Sequence, residues 1–193
     1  MEADTAQVGN IPVKQLKPFL LILPLLFLFS CGKDIPEEDV FDNPLDEDEV
    51  TYETPALTFY PLDISISLGS SQSVDVFVLG VENLAGSYVK LSYDKSKLSV
   101  LSFSVGDFFT DAVQAPVFIA ENDAENGIVE INTSFLGSDS VSVSGTGSLA
   151  SIVFQSMADG ESSLVFDAAC EFVDPDDNAI EIKGFGVGVV NAQ

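Results

Sequence analysis

The hydrophobic residues beyond position 56 alternate with polar residues in short segments. In the clearest segment, Ala150, Ile152 and Phe154 alternate with Ser151 and Gln155. A period of two places successive side chains on opposite faces of a β-strand. One face of this segment is entirely apolar and the other is mixed, so the pattern predicts a strand with one face in a core.

Eight other segments have comparable patterns, and Gly, Asn, Asp and Ser residues separate them. These segments cover residues 62–68, 74–79, 87–93, 98–105, 117–120, 128–135, 164–173 and 180–190. None of them has the period of an amphipathic helix. Their order therefore predicts an all-β domain over residues 57–193, folded as a nine-stranded antiparallel β-sandwich with jelly-roll topology.

Two details of the pattern predict local irregularity. The segment 164–173 is expected to break near Ala168. Near the C-terminus a Gly-x-Gly-x-Gly repeat is formed by Gly184, Gly186 and Gly188. A phosphate-binding loop would require a helix after the repeat, and none is predicted. We therefore expect a strand that approaches its neighbours closely, or a bulge.

The N-terminus carries an apolar stretch of a different kind. Residues 19–29 are eleven apolar residues that follow Lys14 and Lys17. Crossing a bilayer takes about 20 residues, so this stretch fits the hydrophobic region of a signal peptide instead. The motif Leu28-Phe29-Ser30-Cys31 at its end resembles the lipobox of bacterial lipoproteins.

That resemblance implies a signal peptide over residues 1–30, cleaved before Cys31. It also implies that the Cys31 thiol carries a lipid that anchors the protein in a membrane. An ordinary secretory signal followed by a chance cysteine is the alternative.

An acidic stretch follows the cysteine. Ten carboxylates lie between residues 34 and 53, and Pro36, Pro44 and Pro55 interrupt the run. Repulsion between like charges and the scarcity of apolar residues predict a disordered acidic linker up to residue 56. In some bacterial lipoproteins such a run directs export to the cell surface; a passive spacer is the alternative. We expect the protein in the bacterial cell envelope, at the outer membrane or the cell surface.

The composition excludes several functions. The net charge is −24, and all seven basic residues are lysines. Nucleic acid is not an expected partner, because phosphate binding needs Lys and Arg. The chain has no histidine, so Ser-His-Asp and Cys-His catalytic arrangements are impossible. Carboxylates are plentiful, but none lies in a context typical of a glycosidase. We expect no enzyme activity and no cofactor.

One acidic segment and one cysteine are candidate chemical sites. The run Asp174-Pro175-Asp176-Asp177-Asn178 offers alternating oxygen ligands of the kind that calcium takes. It lacks the glycine and the distal glutamate of an EF-hand loop, so a plain acidic turn is favoured and no metal site is predicted. Cys170 is expected to stay unpaired and buried.

The order of the strands resembles that of cohesin domains of bacterial scaffold proteins. The segments that carry the resemblance are residues 74–78, 89–94, 106–108, 147–154 and 186–189. Most of the similarity lies in the Tyr93-Asp94 turn and in the late Gly-x-Leu-Ala-x-Ile-x-Phe strand.

The resemblance implies a function in protein binding. Cohesins bind dockerins, small calcium-dependent helical modules that are often fused to polysaccharide-degrading enzymes. The contact face is formed by the third, fifth, sixth and eighth strands. The positions that match it here are Tyr88 and Lys90 on the third strand, Phe118 on the fifth, and Glu130 and Asn132 on the sixth.

Two other functions fit the same fold. A carbohydrate-binding module is one alternative; it would have to stack sugars on tyrosine, because the chain has no tryptophan. The candidate stacking residues are Tyr52, Tyr60, Tyr88 and Tyr93. A structural or adhesive surface domain with no discrete site is the other alternative.

Overall fold

A computed structural model describes residues 51–136 and 141–193. Cys31, the predicted signal peptide and most of the predicted linker lie outside the described residues. Within the described part of the chain, no helix is long and apolar enough to cross a membrane. A short 3₁₀ turn occupies Asp107–Phe109, and β-strands make up most of the remainder.

The described residues form thirteen strands. The first seven are β1 (Ala56–Tyr60), β2 (Asp63–Ile66), β3 (Ser71–Leu84), β4 (Gly86–Ser92), β5 (Leu98–Val105), β6 (Val117–Asp123) and β7 (Ile128–Ser134). The others are β8 (Val143–Ser156), β9 (Gly160–Phe166), β10 (Glu171–Val173), β11 (Ala179–Ile180), β12 (Gly184–Phe185) and β13 (Val187–Ala192).

The strands form two sheets that enclose one main core. Sheet A has the order β12-β1-β3-β8-β5. Sheet B has the order β6-β7-β4-β9-β13-β2, and β10 and β11 extend it beside β4. The predicted β-sandwich is confirmed.

The sheets are mixed, whereas purely antiparallel sheets were predicted. β1 runs parallel to β12 in sheet A, and β2 runs parallel to β13 in sheet B. Both parallel pairs arise because two segments of the chain cross from sheet A to sheet B side by side. The chain passes from β1 to β2 at Pro61, and from β12 to β13 at Gly186.

The strands also outnumber the nine that the pattern predicts. β1 was missed because Ala56 to Phe59 are all buried and Thr58 is the one polar residue among them, which is too little to establish an alternation. The predicted strand 180–190 is divided into three. The predicted strand 164–173 breaks between Phe166 and Glu171, which confirms the expected interruption near Ala168.

The glycine repeat approaches its neighbours closely, as expected. A Cβ atom on Gly186 would lie 2.3 Å from Thr58 Oγ1 and 2.7 Å from the Tyr52 hydroxyl oxygen. A Cβ atom on Gly188 would lie 3.0 Å from the ring of Phe59. The repeat therefore allows the segment to pack directly against β1 where both change sheets.

The main core is made of inward-facing residues of both sheets. Phe154, at the centre of the strand with the clearest pattern, is 1% exposed and its ring lies edge-on to Tyr93. Phe59 stacks on Phe166 with 4.2 Å between ring centroids. Burial of each such side chain contributes about 1.5–3 kcal/mol, so the interleaved sheets supply most of the stabilisation.

A smaller apolar cluster lies on the outer face of sheet A. Phe77, Leu79 and Ala56 are buried there, and the half-buried side chains of Tyr52 and Leu62 pack against them. Tyr52 belongs to the segment that was predicted as linker. Residues 52–56 therefore belong to the folded domain, because the side chains of Tyr52 and Ala56 pack against the outer face of sheet A and remove apolar surface from water.

Candidate protein-binding face

The outer face of sheet B carries the alternate residues of its strands. In β4, Val89 and Leu91 are buried in the core, whereas Tyr88 and Lys90 point outward and are partly exposed. The same alternation holds in β7, where Ile131 is buried and its neighbours on either side are not. A period of two therefore places every second polar side chain on this face.

The structure brings four of the predicted site residues together. Tyr88 lies directly opposite Asn132 across the β4–β7 pair, and Lys90 lies opposite Glu130. These are directly opposed cross-strand pairs, whose Cβ atoms in antiparallel sheets are about 4.5–5.5 Å apart. The four side chains thus form one continuous patch.

Glu130 connects Tyr88 and Lys90. The Tyr88 hydroxyl donates a hydrogen bond to Glu130 Oε1 at 3.0 Å, and Lys90 Nζ lies 3.4 Å from the same oxygen. Burial, followed by the hydrogen bond to Glu130, raises the pKa of Tyr88. The contact with Glu130 is also the main cause of the raised pKa of Lys90. At neutral pH the phenol is therefore neutral and the ammonium charged, as this network requires.

The fifth predicted residue, Phe118, does not lie on this face, which corrects its assignment as a contact residue. Its side chain is partly buried and packs against the main core. The outward positions of β6 are Val117, Ile119, Glu121 and Asp123. The orientation was not predictable from residues 117–120, because all four are apolar.

Two residues of the face were missed, Ile119 and Glu121. Ile119 is 53% exposed and lies opposite Asn132. Glu121 lies opposite Glu130. The carboxylates of Glu121 and Asp123 could have identified them. Carboxylates mark the solvent side of a strand, and Ile119 lies two residues before Glu121 and therefore on the same side.

The break between β9 and β10 lies beside Lys90. The Asp167 N–H donates a hydrogen bond to the Lys90 carbonyl at 2.8 Å. The Lys90 N–H lies 3.3 Å from Cys170 Sγ. Cys170 is half-buried and unpaired, and burial raises the pKa of its thiol. A raised thiol pKa disfavours the thiolate, which is the nucleophilic form of cysteine.

The acidic run at Asp174 forms a turn that its own donors stabilise. Asp174 Oδ1 accepts hydrogen bonds from the N–H groups of Asp176 and Asn178, both at 2.9 Å, and the Asn178 amide also donates to this carboxylate. These hydrogen bonds lower the pKa of Asp174. In residues 51–136 and 141–193, no group of three or more acidic or cysteine side chains is arranged to hold a metal ion.

The tyrosines considered for sugar stacking do not form a common platform. Tyr93 is 7% exposed and lies in the core, where its hydroxyl donates to Asn122 Oδ1. Tyr52 packs on the outer face of sheet A, and Tyr60 lies on that face beside Phe77. Tyr88 lies on the opposite side of the sandwich.

No protein-family model matches the chain, and no curated protein matches it. Solved structures do. A type II cohesin from Acetivibrio cellulolyticus matches with a TM-score of 0.62 and 15% identity over 72% of this chain and 96% of the other. The fold is that of cohesin domains.

Two other cohesins have the same fold. A non-cellulosomal cohesin from the archaeon Archaeoglobus fulgidus matches with a TM-score of 0.58 and 18% identity, over 72% of this chain and 90% of the other. The sixth cohesin of Acetivibrio cellulolyticus scaffoldin B, solved in complex with a dockerin, has a TM-score of 0.60 and 18% identity, over 72% and 98%.

The strands that were predicted to form a contact face are neighbours in the structure. The predicted third, fifth, sixth and eighth strands correspond to β4, β6, β7 and the broken strand β9–β10. All of them lie in sheet B, and β6, β7, β4 and β9–β10 are consecutive neighbours there. The outer face of these strands is called the B face below.

Proposed function

We propose that this domain is a non-catalytic binding module that holds a dockerin-like protein on the B face. The observation that carries the proposal is the cohesin fold, because cohesins of this fold have been solved with a dockerin bound. The arrangement of the B face is consistent with it. Tyr88, Asn132 and Ile119 offer a partner an aromatic ring, an amide and an exposed aliphatic side chain on one surface.

Recognition would use both apolar and polar contacts. The hydrogen bond from Tyr88 and the ion pair with Lys90 hold the Glu130 carboxylate in place before binding. A polar group that is already ordered loses less conformational entropy when a partner contacts it. A dockerin attached to a polysaccharide-degrading enzyme would thereby be recruited to the site where this protein is anchored.

Binding assays with dockerin modules test the proposal. The full chain is immobilised and exposed to a panel of purified dockerins with calcium or with a chelator. We expect saturable binding with calcium and loss of binding with the chelator, because dockerins need calcium to fold. Failure of all dockerins in both conditions would contradict the proposal.

A matched pair of variants tests the face. Asn132→Arg places a long charged side chain at an exposed position in the centre of the B face. Ser104→Arg places the same side chain at an exposed position on the outer face of sheet A. We expect Asn132→Arg to abolish dockerin binding and Ser104→Arg to leave it unchanged. Equal effects would place the contact elsewhere.

We also propose that Cys31 carries the lipid anchor and that the protein lies at the outer membrane or cell surface. The lipobox-like motif and the acidic stretch after it support this. Metabolic labelling with a fatty acid analogue should modify the wild-type chain and leave Cys31→Ser unlabelled. Proteolysis of intact cells then tests surface exposure: a protein that is degraded only after cell lysis would contradict a surface location.

A further inference from the structure

The B face combines exposed aliphatic side chains with unbalanced negative charge. Val117 and Ile119 are 39% and 53% exposed on β6, at the edge of the sheet. Glu121 and Asp123 continue the same row of outward positions. A single exposed aliphatic residue is ordinary on a protein surface. Here two stand next to the carboxylates of one strand, on a face that no other part of the described chain covers.

Glu121 and Glu130 form a like-charge pair. They lie directly opposite each other across the β6–β7 pair, and like charges in that position are destabilising. Lys90 balances Glu130 from the other side, at Oε1. Among the described residues, Glu121 has no ion-pair partner within 4.0 Å. The fold therefore keeps an unfavourable pair that a single amide would relieve.

The neighbouring charges do not compensate for this pair. Glu171 lies opposite Tyr88 on β10, and Asp167 is bonded through its N–H to the Lys90 carbonyl. Lys90 is the one basic residue among the outward strand positions of sheet B in the described chain, and Glu130 already engages it. Lys95 lies near Asp123 at the end of β6, so the uncompensated negative charge is centred on Glu121, and such charge attracts cationic partners and repels acidic ones.

We propose that the partner presents a basic surface to the B face and places a Lys or Arg side chain between Glu121 and Glu130, with an apolar side chain next to it on Ile119. This deepens the proposed function, since it specifies the chemistry of the partner for the same face. The added cation converts the repulsion between the two carboxylates into two attractive contacts. Glu121 thereby becomes a specificity-determining residue.

A solvated acidic face kept only for solubility would contain the same like-charge pair, so the experiment must separate stability from binding. Full-length chain is used to select binders from a displayed library of two-helix modules with randomised surface positions. Binders that lose affinity for Asn132→Arg are retained as B-face binders. They are then measured against Glu121→Gln and against Glu82→Gln, which changes an exposed carboxylate on β3 of the other sheet.

We expect the B-face binders to be enriched in Lys or Arg. They should lose roughly tenfold in affinity with Glu121→Gln and less than about twofold with Glu82→Gln. The Glu121→Gln variant should also melt about 1–4 °C higher than wild type, because the repulsion is relieved. A gain in stability together with a loss of binding distinguishes a binding role from a structural one.

Three results would overturn the inference. These are B-face binders without basic enrichment, binders indifferent to Glu121→Gln, and a library that gives no B-face binder at all. An unchanged melting temperature would show that the two carboxylates do not repel each other, and would remove the physical basis of the inference. If the library succeeds while every dockerin fails, the basic-partner inference stands and the dockerin proposal falls.

Discussion

The two outer faces of the sandwich both carry apolar residues, and a cluster on sheet A is covered whereas Ile119 on sheet B is not. On sheet A, Phe77 and Leu79 point away from the main core but are 6% and 5% exposed, because Tyr52 and Leu62 pack over them. On sheet B, Ile119 points away from the core and is 53% exposed. The same strand periodicity thus produces a second small core on one side and an open surface on the other.

The polar residues of the two faces differ as well. Beside its small cluster, the outer face of sheet A carries Ser73 and Ser151, which hydrogen-bond to each other at 2.6 Å, and the carboxylate of Asp75, opposite Ser151. The B face carries carboxylates and one lysine. Neutral hydroxyls that bond to one another leave little for a partner to recognise, whereas uncompensated charge beside exposed aliphatic side chains gives both attraction and selectivity.

Truncating one apolar residue on each outer face should give the largest difference in stability between the two faces. Phe77→Ala removes a buried ring and should lower the free energy of unfolding by about 3 kcal/mol. Ile119→Ala removes an exposed side chain and should change it by less than about 0.5 kcal/mol. Urea denaturation of both variants measures the difference. Similar losses would mean that Ile119 is covered in solution, for example by self-association.

The close approach of Gly186 to Thr58, beside the covered cluster of sheet A, can also be tested. Gly186→Ala would place a Cβ atom 2.3 Å from Thr58 Oγ1, so the variant should be less stable by about 1–3 kcal/mol. Within the described residues, Thr58 Oγ1 is buried without a hydrogen-bond partner. Thr58→Ala alone should therefore cost little.

The double variant of Gly186→Ala and Thr58→Ala provides the control. Removing Oγ1 relieves the closest clash, so the double variant should be more stable than the sum of the single effects predicts. Strict additivity would show that the strand shifts away from Thr58 instead of compressing against it.

Acid should affect the turns of sheet B. Asp94, Asp123 and Asp174 each lie at the end of a strand in that sheet and have a lowered pKa, caused mainly by hydrogen bonds from Ser96, Asn126 and Asn178 respectively. A carboxyl group with a lowered folded-state pKa stabilises the fold above its unfolded value of 3.8. That contribution disappears as the pH falls through the folded-state pKa.

We therefore expect the stability difference between wild type and Asp174→Ala to be present at pH 6 and to vanish in strong acid. Denaturation at a series of pH values measures it, and Asp159→Ala serves as a control in a different turn. A difference that is independent of pH would indicate that the turn depends on side-chain shape and not on the carboxylate charge.

The sequence pattern predicts most of the sandwich, because strand orientation follows from alternation wherever the two faces differ in polarity. Val89 to Leu91 and Val129 to Ile131 are such segments, and they place Tyr88, Lys90, Glu130 and Asn132 outward, as the structure has them. Alternation is uninformative where a strand is buried on both faces or where the predicted segment is apolar along its whole length. β1 is buried on both sides, and β6 begins with four apolar residues, so β1 was missed and Phe118 was assigned to the wrong face.

Long-range contacts could not be predicted from alternation at all. The opposition of Glu121 and Glu130 depends on the register of β6 against β7. The cover that Tyr52 provides over sheet A depends on a segment whose composition resembles the linker before it. Both are properties of how distant segments meet, and a local pattern carries no information about them.

The smallest expected effect on stability concerns the phenol on the B face. Tyr88→Phe removes the hydrogen bond to Glu130 and should change the free energy of unfolding by no more than about 0.5 kcal/mol at pH 7. Because the folded-state pKa of Tyr88 is raised above its ordinary value of 10.0, its contribution is complete below pH 10 and is lost as the pH rises through the folded-state value. Comparing wild type with Tyr88→Phe between pH 8 and pH 11.5 should therefore show the difference shrinking with pH.

The same variant should matter more for binding than for stability. Without the phenol, one fixed contact to Glu130 is gone, and the carboxylate is held by Lys90 alone. We expect a B-face partner to bind Tyr88→Phe more weakly. The loss should come from faster dissociation, because the contact that is removed is short-ranged. The corresponding change on the other sheet, Tyr60→Phe, alters an exposed tyrosine on the outer face of sheet A and should leave binding unchanged. If both variants bound alike, the ordered Glu130 would be a feature of the free domain without a role in recognition.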